Sequence, residues 1–334
     1  MPSLAVARYA FNGSDMNKPK CLFILGPTAS GKTDLAIDLA NRMDARLISV
    51  DSALIYRDMN IGTAKPEPEL LKQYPHDLVD IIEPNENYSV ARFIDDAKVA
   101  MKEAVAENKL PILVGGTMLY FKGLLDGLSD LPEANMDERK RIEAKANELG
   151  WPAMHTELAK LDPEAAARID SNHSQRIGRA LEICYSTGAT MSELLAKPST
   201  KGYLPIGDQF DVRQIGLEVA DRSALHNRIN YRFELMLEAG FIEEVEVLRK
   251  KYSLTPEHAS MRCVGYRQAW QYLDGDFDRE ELVLRGQAAT RQLAKRQLTW
   301  MRNWPDLNLL PVHWSEKSAT SDTDLIQASL NCLN

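Results

Sequence analysis

Cysteine is scarce in this 334-residue chain: four residues, at positions 21, 184, 263 and 332, with no Cys-x-x-Cys pair and no zinc-type spacing. That excludes a disulfide framework and a cysteine-based zinc centre, and it suits a reducing cytosol. Long apolar runs are missing too; none approaches the length of a membrane span. Residues 1–20 carry an arginine inside their short apolar run and an aspartate after it, which fits neither a signal peptide nor a transit peptide. Residues 1–19 are expected to form a mobile tail, or to be extra residues upstream of a start at Met16. No internal repeat or low-complexity tract is present. Positive charge is in the minority, with 40 Lys and Arg against 48 Asp and Glu and a net charge of −8. Spread evenly, that balance would disfavour a nucleic-acid partner. It is not spread evenly.

What the chain does have is Gly26-Pro27-Thr28-Ala29-Ser30-Gly31-Lys32-Thr33. It follows the apolar run 21–25 and opens the helical pattern 34–40, and strand, glycine-rich turn and helix are the context of a phosphate-binding loop. Gly26 and Gly31 let the backbone fold round an anion, while the helix N-terminus adds N–H donors and a positive dipole. Lys32 is placed to reach the outer phosphates and Thr33 to meet Mg²⁺. The chain is read as binding a di- or triphosphate.

β-rich apolar runs recur at 21–25, 46–50, 78–82, 111–114 and 212–219, with helical stretches at 33–43 and 89–107 between the early ones. Such alternation predicts α/β architecture, a P-loop NTPase-like parallel sheet covered on both faces. Between 114 and 212 the rhythm breaks into helical patterns at 136–149, 152–161, 163–169, 174–186 and 191–195. The organisation expected is a core over 20–130 and 205–312 with C-terminal helices, a helical insertion domain at 131–204, and a tail at 313–334. Asp221 can cap a long helix reaching about Tyr252, broken near Ala239-Gly240, and further helices fall at 263–273 and 280–302.

Asp51 ends the strand pattern Leu47-Ile48-Ser49-Val50, at the carboxyl edge where such folds place ligands. Three roles stay open for it: metal ligand, general base, or a helix cap. Asp80 reads as a supporting carboxylate. Gly115-Gly116-Thr117 lies at the same edge; a Gly-Gly turn permits close approach of backbone to a ligand, and Thr117 offers a hydroxyl. From 285 to 303 there are five basic residues and no acidic one, and Arg262 and Arg267 add two more around Tyr266. Gln175, Arg176 and Arg179 form a smaller cluster. Each is either a solvated helix face or a surface for a phosphate backbone. The tryptophans at 151, 270, 300 and 304 read as packing residues. A phosphate loop alone leaves open a small-molecule kinase binding ATP, a regulatory nucleotidase, and a transferase using another diphosphate. Neither of the first two explains an acid-free basic helix.

Taken together, the motifs resemble the bacterial tRNA dimethylallyltransferase (tRNA isopentenyltransferase) family. They are the loop Gly26 to Thr33, then Ile48-Ser49-Val50-Asp51-Ser52-Ala53-Leu54-Ile55-Tyr56, Ile61-Gly62-Thr63-Ala64-Lys65-Pro66 and Val114-Gly115-Gly116-Thr117-Met118-Leu119-Tyr120. Arg262-Cys263-Val264-Gly265-Tyr266-Arg267-Gln268 and Thr290-Arg291-Gln292-Leu293-Ala294-Lys295-Arg296-Gln297 complete the set, and the likeness covers roughly residues 20–310. The resemblance implies transfer of a dimethylallyl group from dimethylallyl diphosphate to N6 of adenine-37 in tRNAs reading codons that begin with U. It implies that Gly26, Pro27, Thr28, Ala29, Ser30, Gly31, Lys32 and Thr33 hold the diphosphate, with Mg²⁺ on Thr33. Asp51 would take the amine proton, Lys32 and Arg228 would stabilise the leaving group, and Thr117 would hydrogen-bond the bridging oxygen. Arg222 and Arg232 share the helix with Arg228, so the choice among the three rests on motif register. Contacts to the tRNA anticodon stem-loop are implied for Asp51, Ser52, Ala53, Leu54 and Thr117. They are implied also for Arg139, Gln175, Arg176, Ile177, Gly178 and Arg179 in the insertion. Arg262, Cys263, Val264, Gly265, Tyr266, Arg267, Lys295 and Arg296 complete the expected interface, with the target base flipped out of its stack. A cytoplasmic monomer with no membrane contact is expected. The alternatives are a nucleoside or nucleotide kinase and an isopentenyltransferase acting on free AMP.

Overall fold

A computed structural model of the protein describes residues 18–197, 203–312 and 323–333. Six strands form one parallel sheet: β1 (Lys20–Leu25), β2 (Ala45–Val50), β3 (His76–Asp77), β4 (Leu110–Gly115), β5 (Asp211–Glu218) and β6 (Asn308–Pro311), in the order β3-β2-β4-β1-β5-β6. The middle strands read as unbroken apolar runs because both faces are covered, and Cys21 to Leu25 are fully buried. The register decides where the chemistry falls. Leu25 pairs with Gly115, and Val50 pairs with Gly115 from the other side. Three strands therefore end level, and the loops after them emerge side by side.

The chain divides into two units. One runs to Leu125 and resumes at Ile206; the other spans Asp126–Pro205. The first carries α1 (Lys32–Ala40), α2 (Pro68–Gln73), α3 (Val90–Ala106) and α4 (Met118–Asp126), the last entering the second unit at its final residue. The second holds α5 (Met136–Leu149), α6 (Trp151–Leu161), α7 (Pro163–Arg168), α8 (Ser174–Thr187) and α9 (Met191–Ala196). It has its own core, in which Ile142, Met154, Leu158, Ile177 and Leu181 meet. Back in the first unit come α10 (Arg222–Glu238), α11 (Phe241–Lys251), α12 (Tyr266–Leu273), α13 (Arg279–Arg302) and α14 (Thr323–Asn331). The Asp221 side chain accepts from the N–H groups of Ser223 and Ala224 to start α10, and Gly240 at φ 94° separates α10 from α11.

Two expectations need correction, and one strand was not expected at all. Residues 78–82 are not a strand. Leu78 and Asp80 have positive φ, and the N–H groups of Asp80, Ile81 and Ile82 bond to the carbonyls of Leu54 and Ile55. This apolar run packs loop on loop, and the sheet strand lies just before it, at His76–Asp77. The segment 313–334 is not simply a tail: Leu325 and Ile326 of α14, with Leu333 beyond it, are buried in the cluster that holds Leu35 and Leu39 of α1. Edge strand β6 has a short, largely exposed sequence that gives no periodic signal. The expected tail at 1–19 falls almost wholly outside the described residues, as do the segments 198–202 and 313–322.

Candidate active site

At the end of β1 the chain turns through residues 26–31 and enters α1 at Lys32. Gly31 takes φ 89° and Ala29 φ 64°, the left-handed conformations that let the turn double back. The Lys32 ammonium lies 3.4 Å from the Pro27 carbonyl. Burial pushes it down to about 8, the charge of Asp51 opposing that fall and Arg232 adding to it. Helix α10 delivers two arginines, four residues apart and so on one face. Arg228 Nε donates to Ala29 O at 3.2 Å, and Arg232 donates to Thr28 Oγ1. Of the three arginines considered from sequence, Arg232 is the one that lines the cavity beside Lys32, and Arg222 is exposed in the first turn of the helix. The i, i+4 spacing was the signal that Arg232 accompanies Arg228.

Asp51 follows β2. Its Oδ1 accepts from the N–H groups of Ala53 (2.8 Å) and Leu54 (3.4 Å), so it does cap the turn. Its Oδ2 accepts no hydrogen bond among the described residues, which leaves one carboxylate oxygen open to a ligand. Thr117 stands beside it after β4: its Oγ1 accepts from Ser52 N at 3.0 Å and lies 3.3 Å from Ser52 Oγ. Gly115 must be glycine, because a Cβ there would sit 2.0 Å from Val50 O. Gln297 of α13 ties the edge together, its Oε1 accepting from Thr28 N at 2.8 Å and its Nε2 donating to Gly116 O at 2.9 Å. The sequence marked that glutamine only as the last residue of the Thr290-to-Gln297 motif and gave it no role.

These groups face one cavity of about 560 Å³, within the size range of small-molecule sites. Thr28, Lys32 and Arg232 supply donors; Asp51, Ser52 and Thr117 lie near; Tyr56, Tyr88, Tyr120, Phe233 and Trp300 supply aromatic wall. Arg262, Cys263, Val264, Gly265 and Tyr266 line it too, but Arg267 points outward to solvent. Burial pushes the Cys263 thiol up to about 12, with the Asp51 charge acting in the same direction and Arg267 against it. A thiol held there stays protonated at neutral pH and is no nucleophile.

The Ile61-to-Pro66 motif reaches the cavity with Gly62 and Thr63 and is otherwise scaffold. Glu244 accepts from the N–H groups of Asn60 (2.9 Å), Ile61 (2.7 Å) and Gly62 (3.2 Å) and from the Tyr266 hydroxyl (2.6 Å). Lys65 donates to Tyr56 O at 2.9 Å and pairs with Asp80, which gives Asp80 its supporting task. Among the described residues no group of three or more His, Cys, Asp or Glu could hold a metal ion. Thr33 Oγ1 has no hydrogen-bond partner among the described residues, and the buried Ser30 Oγ has none either. Free hydroxyls at the start of α1, without a carboxylate cage, fit a Mg²⁺ held mainly by a bound diphosphate and water.

The basic residues separate into two sets. On α13, Arg285 pairs with Glu281 at 2.7 Å and Arg291 bonds Asn230 at 2.6 Å. Lys295 and Arg296 are exposed, and among the described residues they, Arg262 and Arg267 have no ion-pair partner. In the helical unit, Arg139 and Arg179 each reach the fully buried Glu182 at 2.7 Å. Gln175 and Arg176 are exposed, Ile177 is core, and Gly178 lies against Trp151.

A glycine turn at the carboxyl edge of a parallel sheet, with a half-buried lysine behind it, defines a P-loop protein. In this one the loop opens onto an aromatic cavity that also contains a carboxylate and a threonine. The family model described as IPP transferase matches residues 54–304, and that described as isopentenyl transferase matches residues 19–77. A tRNA dimethylallyltransferase of Thiobacillus denitrificans is 56% identical over 292 residues, 87% of this chain and 91% of the relative. The crystal structure of a tRNA isopentenylpyrophosphate transferase from Bacillus halodurans aligns with TM-score 0.66 and 36% identity, over 95% of this chain and 96% of that one. A eukaryotic dimethylallyltransferase acting on tRNA aligns with TM-score 0.72 and 27% identity, over 93% of this chain and 78% of that one. The chain belongs to the IPP transferase family, that of the tRNA dimethylallyltransferases.

Proposed function

We propose that the protein transfers the dimethylallyl group of dimethylallyl diphosphate to N6 of adenine-37 in the anticodon loop of tRNAs reading codons that begin with U. The products are N6-(dimethylallyl)adenosine and diphosphate. The observation that carries this reading is the shared cavity, in which the cationic loop edge of Lys32 and Arg232 meets aromatic wall, Asp51 and Thr117. A diphosphate with a short apolar chain matches both halves of that lining.

In the step itself the allylic C1–O bond breaks, the N6–C1 bond forms, and the electron pair leaves with the diphosphate. The free Oδ2 of Asp51 accepts the amine proton while Oδ1 stays on the backbone N–H groups. Lys32, Arg232 and Arg228 meet the charge that gathers on the leaving group. Thr117 Oγ1 turns its proton from Ser52 toward the bridging oxygen. Mg²⁺, when bound at Thr33 and the diphosphate, neutralises part of the phosphate charge. Aromatic walls keep water from the allylic carbon.

The unpaired cations Arg262, Arg267, Lys295 and Arg296 favour a polyanionic acceptor over free AMP, and the anticodon stem-loop offers single-stranded bases that can be flipped toward the loop. Arg176 and Gln175 add a second contact. A monomer working in the cytoplasm fits this reading, and no described helix is long and apolar enough to cross a membrane. The test is incubation with labelled dimethylallyl diphosphate, Mg²⁺ and unmodified tRNA, beside ATP with free nucleoside. Label at N6 of adenine-37 is expected; phosphate transfer to the nucleoside instead would return the chain to the kinases.

A further inference from the structure

Gln297 sits on the buried side of α13, with Ala294 and Met301, and lines the cavity; Lys295 is exposed to solvent and Arg296 is exposed at the cavity wall. Its amide is used at both ends: Oε1 takes the N–H of Thr28 in the diphosphate loop, and Nε2 donates to the carbonyl of Gly116, the residue before Thr117. The two loops leave neighbouring strands and are joined at their base by a backbone bond, Gly26 N to Gly115 O at 3.3 Å. Gln297 is a second tie. Gly116 leaves room for it, since a Cβ there would lie 2.3 Å from Gln297 Nε2. The post that carries the tie is itself fixed, because Ala294 and Leu298 pack with Ile229 of α10 and with Ala29 of the loop.

We infer that Gln297 is a positioning residue, which sets the spacing between the diphosphate loop and the Gly115-Gly116-Thr117 turn. Both ends of its amide are already bonded to the loops, so it is assigned no part in the bond-making step. Its work is to hold the leaving diphosphate at a fixed distance from Thr117 and Asp51, so the inference rests on the transfer reaction proposed above. Without the amide, a half-buried N–H and a buried carbonyl lose their partners and each loop settles separately. A shift of about 1 Å between reacting groups lowers rate by roughly 100-fold while leaving much of the binding intact.

The test compares wild type, Gln297→Met, Gly116→Ala, the double variant, and Gln287→Met in steady-state transfer to tRNA, with melting temperatures alongside. Gln287 is a second buried glutamine on α13 whose amide reaches Glu234 and not the loops, so it reports loss of a buried polar contact alone. Gln297→Met is expected to lower kcat about 10- to 100-fold, with KM for tRNA within about threefold. Gly116→Ala breaks the same tie from the other side and is expected to do the same, the double variant being no worse than either. Gln287→Met should lower melting temperature while kcat stays within about twofold. If Gln297→Met does not fold, the kcat of Gly116→Ala decides. An active wild type with kcat unchanged in these variants overturns the inference, as does a fully additive double variant. A wild type that transfers nothing sinks the proposed reaction, and the positioning role with it.

Discussion

In the helical unit, Arg139 and Arg179 both close on the buried carboxylate of Glu182, which also accepts from Asn135 N at 2.7 Å. In the sheet unit, Lys32, Arg232 and Asp51 face one cavity with no ion pair among them. The first cluster is satisfied within itself; its charges hold α5 to α8. The second is held apart by other bonds, Asp51 by backbone N–H groups and Arg232 by Thr28. Charges kept apart in a partly desolvated site raise the free energy of the empty fold and are relieved by a ligand of matching charge. The depressed Lys32 is the signature of that condition.

The strongest way to break the contrast is Lys32→Met. Removing a half-buried cation whose one bond is a long contact to the Pro27 carbonyl should leave melting temperature unchanged or raised, while prenyl-diphosphate affinity falls about 10- to 100-fold, read by calorimetry. The same cation gives a pH signature. Its value in the fold, about 8, lies below the 10.5 of an ordinary lysine, so diphosphate affinity should fall as pH rises past about 8. Over that window the unfolded chain holds the proton that the fold has lost, so this lysine makes the fold more stable with rising pH, not less. Weakened binding there is not unfolding, and Lys32→Met should abolish it.

Glu182→Gln probes the other side of the contrast. It keeps the shape and removes the charge that two arginines share, and a loss of about 1–3 kcal/mol in denaturant unfolding is expected, with diphosphate affinity unchanged. Neutralising Lys295 and Arg296 together should lower the log–log salt slope of tRNA binding by about 1–2 units and leave melting temperature alone. An unchanged slope in a folded variant would assign these cations to solvent. The finest distinction lies within one segment. Arg176→Ala should lower the slope by about 1 at constant stability, whereas Arg179→Ala should lower melting temperature because it strips a bond from Glu182.

Much of this was legible in the sequence, and the omissions have physical causes. The phosphate loop, four of the six strands and the break at Gly240 follow from local chemistry: apolar runs, glycine spacing, a cap. Asp51 was legible as a strand-end carboxylate, but only the register of β2 on β4 brings it beside Thr117. Residues 78–82 are an apolar, β-rich run like a strand and pack as a loop, because the N–H groups of Asp80, Ile81 and Ile82 find carbonyls at Leu54 and Ile55. Arg139 and Arg179 look like surface cations until Glu182 is seen buried between them; Arg179 meets it at the helical i,i+3 spacing, but Arg139 reaches it across 43 residues, which no spacing rule records. The role of Gln297, named in the sequence only as a motif position, was illegible for the same reason; its partners lie 269 and 181 residues away.

The central claim is that Asp51 is the base of a prenyl transfer, and Asp51→Asn tests it most directly. The amide keeps an oxygen to accept from Ala53 N, so the capped turn survives, but it cannot take a proton at neutral pH. Single-turnover transfer to tRNA, measured with both substrates saturating, should fall by roughly 10²- to 10⁴-fold while tRNA affinity stays within about threefold. Near-normal transfer by this variant would contradict the account and leave Asp51 a cap.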